Sequence, residues 1–270
     1  MSRLNEENNS KPYIIRVASQ KGGVGKTTIA VNMASCIQDL GYNVLLVDCD
    51  TTNPSVGLHL GLESAAIGYK QLIKGKSKLS EALIIHPPTG IKAIVGSINT
   101  KPFITTEYES RRFIDSLRKT DFDFIILDTQ PGYYVAEEVG FVDETLLITT
   151  PDMPSCTSIM RSVAVLEKEK LKNSLLINRV KNKNYEINKR EIEEMYPGRI
   201  VGSVPESEIV PISIAERIPA YILQRRSNFS NSIYYSLGVY VSRRDTYPDG
   251  SKKFKRQSFF SRLFRRKYSY

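Results

Sequence analysis

The stretch YIIRVASQKGGVGKTTIA, residues 13–30, decides the fold. It passes from a short apolar run into a turn with three glycines, and then into a helical pattern that meets no helix breaker before Gly41. A strand, a glycine-rich turn and a helix in this order form the setting of a phosphate-binding P-loop. The sequence therefore predicts a strand at 13–19, a helix at 26–40 and a phosphate site at the turn between them.

The residues of this turn suit a nucleoside triphosphate. Glycines let backbone N–H groups approach phosphate oxygens, and the start of the helix adds partial positive charge. Lys26 is placed to contact the β- and γ-phosphates, and the Thr27 hydroxyl is placed to bind Mg²⁺. A glycine-rich turn without a ligand is the alternative. The predicted nucleotide-binding residues here are Gly22, Gly23, Val24, Gly25, Lys26, Thr27 and Thr28.

Beyond this stretch, short apolar runs alternate with helical patterns. The runs are continuously apolar, as is typical of parallel strands covered on both faces. We therefore predict an α/β fold, a doubly wound, mostly parallel sheet flanked by helices as in P-loop NTPases, with a C-terminal amphipathic helix. The further strands are predicted at 43–48, 91–96, 122–128, 145–150, 174–179 and 199–204, and the further helices at 78–85, 107–119, 155–172, 186–195 and 229–243.

The positive charge of the chain is concentrated at its C-terminal end. The net charge is +9, and residues 243–270 carry +8 of it, which indicates an anionic partner for this end. The turn-forming stretch YPDGSKK separates it from the last core helix. We therefore expect four parts, namely a flexible N-terminus at 1–12, an ATPase domain at 13–243, a linker at 244–253 and a basic amphipathic tail at 254–270.

Cysteine usage and hydropathy indicate the cellular compartment in which the protein works. The three cysteines, Cys36, Cys49 and Cys156, have neither the pairing of a secreted disulfide scaffold nor the CxxC spacing of a metal site. No stretch approaches the ~18 apolar residues that would span a bilayer. These features favour a reduced, cytosolic protein.

Acidic residues follow two of the predicted strands. Asp48 and Asp50 come at the end of the second strand, and Asp128 ends the run FIILD. Because ligands of open α/β sheets bind at the carboxyl ends of the strands, these carboxylates are placed to hold Mg²⁺ or to orient water. A turn and a helix cap are the alternative role for the first two.

The P-loop departs from the usual pattern G-x-x-x-x-G-K-[ST], because Gln20 replaces the first glycine and Lys21 is added. With these changes it resembles the deviant Walker A motif, KGGVGKT, of the MinD/ParA family of P-loop ATPases. The resemblance covers about residues 13–242 and is nearest to the MinD-like branch of archaea and bacteria. It implies ATP and Mg²⁺ as cofactors and an ATP-dependent homodimer, in which Lys21 reaches the nucleotide of the other subunit.

The same resemblance implies roles for the other site residues. Lys21, Lys26 and Asp50 would be catalytic, with Asp50 tied to hydrolysis, and Thr27, Asp48 and Asp128 would serve the metal. The segments around Asn178 and around Pro205 and Glu206 look like those with which the family contacts adenine. Gln130 departs from the usual motif D-[ST]-[PA]-[PA]-G after the Walker B strand, which leaves its effect on hydrolysis open.

The tail suits a membrane surface. Phe259, Phe260, Leu263 and Phe264 share one side of a helix, and arginines lie largely on the other. The pattern is similar to the membrane-targeting helix of the MinD branch, which implies peripheral attachment to the inner face of the cell membrane. Binding of nucleic acid and a purely structural tail are the alternatives.

Together these features predict a MinD-like ATP hydrolase. It would dimerise around ATP, bind the membrane peripherally, and position or recruit a partner assembly, with an unknown protein stimulating hydrolysis. Because Gln20 is frequent in the ParA branch, a ParA-like DNA-partition ATPase that binds DNA nonspecifically is the runner-up. An ATP-dependent ligase or pump subunit on the same fold is a third possibility, and no sequence feature indicates its substrate.

Overall fold

The structure is a computed structural model that describes residues 11–62, 67–96, 105–132 and 139–244. The predicted tail helix at 254–270, with Phe259, Phe260, Leu263 and Phe264, lies outside the described residues, as do residues 1–10 and the predicted linker beyond residue 244. In the described ranges no helix is both long and apolar enough to cross a bilayer.

Eight strands form one sheet in the part of the chain that the structure describes. Their order across the sheet is β3-β4-β2-β5-β1-β6-β7-β8, and every neighbouring pair is parallel except β3 with β4. The predicted mostly parallel, doubly wound sheet is therefore confirmed. The strands are β1 (Tyr13–Ala18), β2 (Val44–Asp48), β3 (Ile84–Ile85), β4 (Lys92–Ile94), β5 (Phe124–Asp128), β6 (Glu144–Thr149), β7 (Asn173–Val180) and β8 (Arg199–Pro205).

Helices flank this sheet on both faces. The predicted P-loop helix and the predicted last core helix both form, as α1 and α10. The described helices are α1 (Lys26–Asp39), α2 (Val56–Leu60), α3 (Tyr69–Ile73), α4 (Leu79–Ala82), α5 (Glu107–Leu117), α6 (Met153–Lys168), α7 (Lys189–Met195), α8 (Ile209–Ala215), α9 (Ala220–Leu223) and α10 (Asn228–Arg244).

The helix predicted at 78–85 is wrong in its second half. The chain is helical only in α4 and then forms β3, which pairs antiparallel with β4. Ile84 pairs with Ala93 there and packs against the main core. Backbone pairing at the edge of the sheet thus outweighs the local helical pattern, as is common for β-branched residues beside an open strand edge.

Burial explains why the central strands are continuously apolar. Every residue of β2 and β5 is buried, because helices cover both faces of the sheet. Residues of α1 and α10 pack on one face, and residues of α3 and α5 pack on the other. Residues of α6 and α7 form a third apolar cluster with β6 and β7.

The strand order brings the predicted site segments to one edge. Strand β1 lies between β5 and β6, and β2 lies on the far side of β5. In this register Asp128 is opposite Val17 of β1 and also opposite Asp48 of β2. The turn after β1 and the acidic ends of β2 and β5 therefore meet at the carboxyl edge of the sheet.

Candidate functional site

The turn between β1 and α1 has the backbone of a P-loop. Gly23 and Gly25 have φ angles of 80° and 90°, in the left-handed region that glycine adopts without strain. Gly25 is also the residue that precedes the first turn of α1, and its carbonyl accepts a bond from the Ile29 N–H at 3.0 Å. The helix N-terminus therefore begins directly at the loop and directs partial positive charge into it.

Substituting alanine at the two glycines is expected to give unequal losses. A Cβ at Gly25 would lie 2.3 Å from Nδ2 of Asn178, whereas a Cβ at Gly23 would meet nothing within 4 Å. Gly23→Ala should therefore cost about 1 kcal/mol of unfolding free energy, from backbone strain alone, and Gly25→Ala about 2–4 kcal/mol. Urea unfolding of both variants measures the difference, and equal losses would contradict the described packing.

Lys26 and Thr27 project from the first turn of α1 toward the acidic strand ends. The Thr27 hydroxyl donates to Oδ2 of Asp128 at 2.6 Å, and it lies 2.9 Å from the hydroxyl of Ser55. Lys26 is buried, and burial lowers the pKa of its ammonium, while the charges of Asp128 and Asp50 oppose that shift. The cation is thus held beside two carboxylates in a site that excludes most water.

Asp48 and Asp128 are buried side by side on neighbouring strands. Burial raises the pKa of each carboxyl above its ordinary value, and the charge of Asp128 adds to the shift at Asp48. Asp48 accepts from the backbone N–H groups of Val56 at 3.0 Å and Asp50 at 3.2 Å. Asp48 therefore also accepts from the first N–H of α2, which is the helix-cap role given above as its alternative.

Asp50 organises the loop that follows β2. Its Oδ1 accepts from the N–H groups of Thr52 at 2.9 Å and Asn53 at 2.8 Å. The hydroxyl of Thr52 lies 3.3 Å from Oε1 of Gln130, in the loop that follows β5. The two loops beside the P-loop are therefore linked through Gln130, the residue that departs from the family motif.

Lys21 and Gln20 lie on the side of the P-loop that faces α6, away from Asp128 and Asp50. Gln20 donates from Nε2 to the Ser162 hydroxyl of α6 at 2.5 Å, so its side chain anchors the loop to that helix. Lys21 is half-buried near Asp152. Burial opposes ionisation of Asp152, but hydrogen bonds from Thr150 and Ser155, together with the Lys21 charge, lower its pKa.

A cavity of about 450 Å³ opens beside the P-loop. The predicted base-contacting residues Asn178, Pro205 and Glu206 all line it, together with P-loop residues. Asn178 donates from Nδ2 to the carbonyl of Val24 at 2.8 Å, so its amide nitrogen contacts the P-loop itself. The structure thus brings these three residues together with the predicted phosphate site.

Two side chains of the site were missed from the sequence. Ser55 contacts Thr27 from a loop in which no motif singles it out. Arg179 lines the cavity, although it directly follows Asn178 in a predicted strand, where neighbouring side chains point to opposite faces. A local irregularity in β7 removes that alternation, and no sequence pattern signalled it.

The site residues fit Mg²⁺ held together with a phosphate group. In the described ranges no cluster of three or more acidic, histidine or cysteine side chains could hold a metal ion. Magnesium at phosphate sites instead takes few protein ligands and keeps several waters. The Thr27 hydroxyl can supply one ligand, and the buried Oδ1 of Asp128, which has no hydrogen-bond partner among the described residues, can accept from a metal-bound water.

Comparisons with known proteins agree with this geometry. The family model CbiA, described as the CobQ/CobB/MinD/ParA nucleotide binding domain, matches residues 15–220. A relative from Oltmannsiellopsis viridis, which carries the name septum site-determining protein MinD, is 33% identical over 75% of this chain and 67% of its own length. A relative of the same name from Chlorella vulgaris is 32% identical over 77% of this chain and 78% of its own length.

A solved structure supports the same fold. The septum site-determining protein MinD from Pyrococcus horikoshii, in complex with Mg-ADP, superposes with a TM-score of 0.77 and 25% identity. The match covers 85% of this chain and 96% of that protein.

Proposed function

Because this chain belongs to the CobQ/CobB/MinD/ParA family of nucleotide-binding domains, we propose that it is a MinD-like, Mg²⁺-dependent ATPase. In this proposal ATP drives dimerisation, the dimer binds the inner face of the cell membrane peripherally, and it positions or recruits a partner assembly. A protein partner would stimulate hydrolysis and reset the cycle. The observation that carries the proposal is the convergence of Lys26, Thr27 and Asp128 beside a glycine-rich loop at one sheet edge.

The phosphate chain would bind along the P-loop. Backbone N–H groups of residues 22–28 would contact phosphate oxygens, and Lys26 would neutralise charge on the terminal phosphates. Burial favours this role for Lys26, since an ammonium removed from water interacts more strongly with a phosphate. The adjacent cavity, lined by Asn178, Pro205 and Glu206, has room for the base.

Hydrolysis would depend on the metal and the residues that support it, on Asp50 and on Lys21. When bound, Mg²⁺ would neutralise charge on the terminal phosphates. Thr27 would contribute a ligand, while Asp48 and Asp128 would support the metal's water shell. Asp50 would orient the attacking water, because the loop that carries it reaches the same edge through Thr52 and Gln130. Lys21 would act in the site of the other subunit, leaving its present position near Asp152.

The tail at 254–270 would couple nucleotide state to the membrane. Full burial of Phe259, Phe260, Leu263 and Phe264 would contribute at most ~6–12 kcal/mol, and helix ordering and partial immersion remove much of it. Each basic residue adds only about 1 kcal/mol near an anionic surface. One tail therefore binds weakly, whereas two tails in an ATP-bound dimer gain an avidity of about 10²–10⁴.

Liposome flotation tests this coupling. The full chain is mixed with vesicles that contain anionic phospholipid, in the presence of ATP, ADP or no nucleotide. We expect recovery with the vesicles in ATP to exceed recovery in ADP by about tenfold or more, since only the dimer presents two tails. Removal of residues 254–270 should abolish recovery in all three conditions, and equal recovery of the full chain in every condition would contradict the proposal.

A matched pair of tail variants distinguishes membrane binding through the apolar helix face from nonspecific hydrophobic binding by the tail. Phe264→Ser removes an aromatic ring from the apolar side of the predicted helix, and Phe254→Ser removes one that lies off that side. Only the first should lower vesicle recovery. Equal losses from both substitutions would mean that the predicted helical face does not bind the lipid.

The runner-up function, DNA partition, is favoured by Gln20 and by the basic tail. It predicts ATP-dependent binding to nonspecific DNA that weakens steeply with salt. In the structure Gln20 contacts Ser162 on α6, which gives this residue a role in holding the P-loop. DNA retention in ATP together with no vesicle recovery would favour the partition function over the membrane function.

A further inference from the structure

Arg179 has an unusual backbone conformation for a residue with a long side chain. Its φ is 60°, in the left-handed region, at the end of β7. The pairing of β7 with β8 shifts in register between Ile177 and Val180, so the irregularity includes Asn178 and Arg179. A left-handed conformation is costly for any residue with a Cβ and persists where the surroundings impose it.

The irregularity changes which side chains reach the P-loop. In a regular strand, Asn178 and Arg179 would point to opposite faces of the sheet. Instead, both contact consecutive carbonyls of the P-loop: Nδ2 of Asn178 donates to Val24 at 2.8 Å, and Nη1 of Arg179 donates to Gly23 at 3.2 Å. Bulges of this kind are known to redirect side chains beside functional sites.

The same guanidinium also contacts Glu206, in the loop that follows β8. Its Nε and Nη2 donate to Oε1 of Glu206 at 3.1 and 2.7 Å. Lys181 contacts the other carboxylate oxygen of Glu206 at 2.9 Å, which holds that carboxylate in place. Arg179 therefore connects the P-loop to the loop after β8, beside the 450 Å³ cavity that both residues line.

These contacts affect the direction in which the backbone N–H groups of the P-loop point. In a phosphate-binding loop the carbonyls must point away from the anion so that the N–H groups can point toward it. A donor on the outer side of the Gly23 carbonyl favours that orientation, and a charged donor favours it more strongly than a neutral one. Arg179 supplies a charged donor to the Gly23 carbonyl, and Glu206 holds the same guanidinium through two hydrogen bonds to its Oε1.

We propose that Arg179 is a positioning residue that holds the P-loop in its phosphate-binding form and, through its ion pair with Glu206, slows the release of bound nucleotide. The proposal rests on the nucleotide site proposed above and adds to it a determinant of nucleotide residence time. Arg179 acts on the Gly23 carbonyl, and the base and phosphates are contacted by other groups.

The test measures release of a fluorescent ADP analogue from the full-length protein after a chase with unlabelled ADP. Arg179→Gly removes the side chain but keeps a residue that tolerates a φ of 60°. We expect its release rate to rise by about tenfold or more, because a charge-assisted bond to the loop is lost. The thermal midpoint of the nucleotide-free protein should stay the same or rise, which a merely structural role for Arg179 does not predict.

Arg217 provides a matched control. It is also an arginine with a left-handed backbone, at φ 58°, and it lies near Gly61 and His86. Arg217→Gly should leave the release rate unchanged. Arg179→Lys keeps the charge but not the fork and should give an intermediate rate, and Glu206→Gln should also speed release.

The outcomes separate this proposal from the proposed function. A wild-type protein that retains no nucleotide would overturn both. A wild-type protein that retains the analogue, with Arg179→Gly and Arg179→Lys releasing it at the wild-type rate, would overturn only the role of Arg179. An equal acceleration by Arg217→Gly would also overturn it, because the effect would then come from general loosening of the fold.

Discussion

Replacing Lys21 with alanine is expected to leave ATP affinity within about threefold of wild type and to lower kcat by about 10³-fold or more. The reason is that Lys26, in the same loop, is the buried cation beside Asp128 and Asp50, whereas Lys21 lies on the opposite side of the loop near Asp152. In the proposed dimer, a cation from the other subunit would stabilise the transition state more than it would strengthen binding of the ground state. Steady-state hydrolysis and equilibrium binding of an ATP analogue measure the two quantities.

Mixing two inactive variants shows in which subunit Lys21 acts. Lys21→Ala and Asp50→Ala are combined in equal amounts, each being inactive alone. If Lys21 acts in the partner's site and Asp50 in its own, a mixed dimer contains one complete site. Turnover should then recover to about a quarter of wild type, since about half of randomly formed dimers are mixed and each has one of its two sites intact.

The mixing experiment has a clear opposite outcome. If Lys21 serves the nucleotide of its own subunit, every site in the mixture has one defect and no activity returns. Lys26→Ala is the matched control within the loop, because it should lose ATP binding as well as turnover. Loss of ATP binding in Lys21→Ala itself would remove the main support for the dimer.

Asp128→Asn is expected to lower kcat by about 10–100-fold at saturating Mg²⁺ and to weaken the dependence of turnover on Mg²⁺. The substitution keeps an oxygen that can accept from the Thr27 hydroxyl, so that contact is preserved. What it changes is the buried oxygen without a hydrogen-bond partner among the described residues, which becomes an NH₂ group that cannot accept from a metal-bound water. Magnesium titrations of turnover measure both effects.

The same substitution should stabilise the protein when nucleotide and metal are absent. Burial raises the pKa of Asp128, so the folded state binds this proton more tightly than the unfolded chain does. Stability from this group is therefore full at low pH and falls as the pH rises from the ordinary carboxyl range through the raised pKa. Attraction to Lys26 offsets part of that loss, so we expect Asp128→Asn to gain about 1–3 kcal/mol at pH 8 and less at pH 5.

Urea unfolding in the presence of EDTA at the two pH values measures this gain. If the variant is less active but more stable, the Asp128 carboxylate serves catalysis while lowering the free energy of unfolding. A variant that is destabilised at both pH values would indicate that the Asp128 carboxylate stabilises the fold, and the metal role would lose its support. Thr27→Val serves as the comparison, because it removes the hydroxyl while the buried carboxyl remains.

Much of the fold could be predicted because its signals are local. All seven predicted strands are present, since runs such as the buried FIILD of β5 have no stable place except inside a covered sheet. Strand β3 was missed because two residues carry no periodicity. Four short helices, α2, α3, α8 and α9, were also missed, since four to seven residues give only a weak periodic signal.

Part of the candidate site could likewise be predicted from the sequence, and part appears only in the structure. The P-loop and the acids Asp48, Asp50 and Asp128 were predicted from spacing along the chain, and the structure brings them together. The contact of Asn178 with the Val24 carbonyl and the contacts of Arg179 were not predicted. The contacts of Arg179 go with its left-handed backbone angle, which no neighbouring residue type predicts.

The sequence by itself determined the chemical groups and the element that carries each one. A glycine turn, the lysine and threonine that follow it, and carboxylates at strand ends are set by short segments, because residue type and local periodicity suffice to place them. The tertiary structure decided which of these groups meet. Thr27 bonds to a residue 101 positions away, and Asn178 to one 154 positions away, because the strand order puts β5 beside β1 and the irregular end of β7 turns two adjacent side chains toward one loop. Contacts at such separations follow from how the whole sheet packs, and no short segment of the chain contains that information.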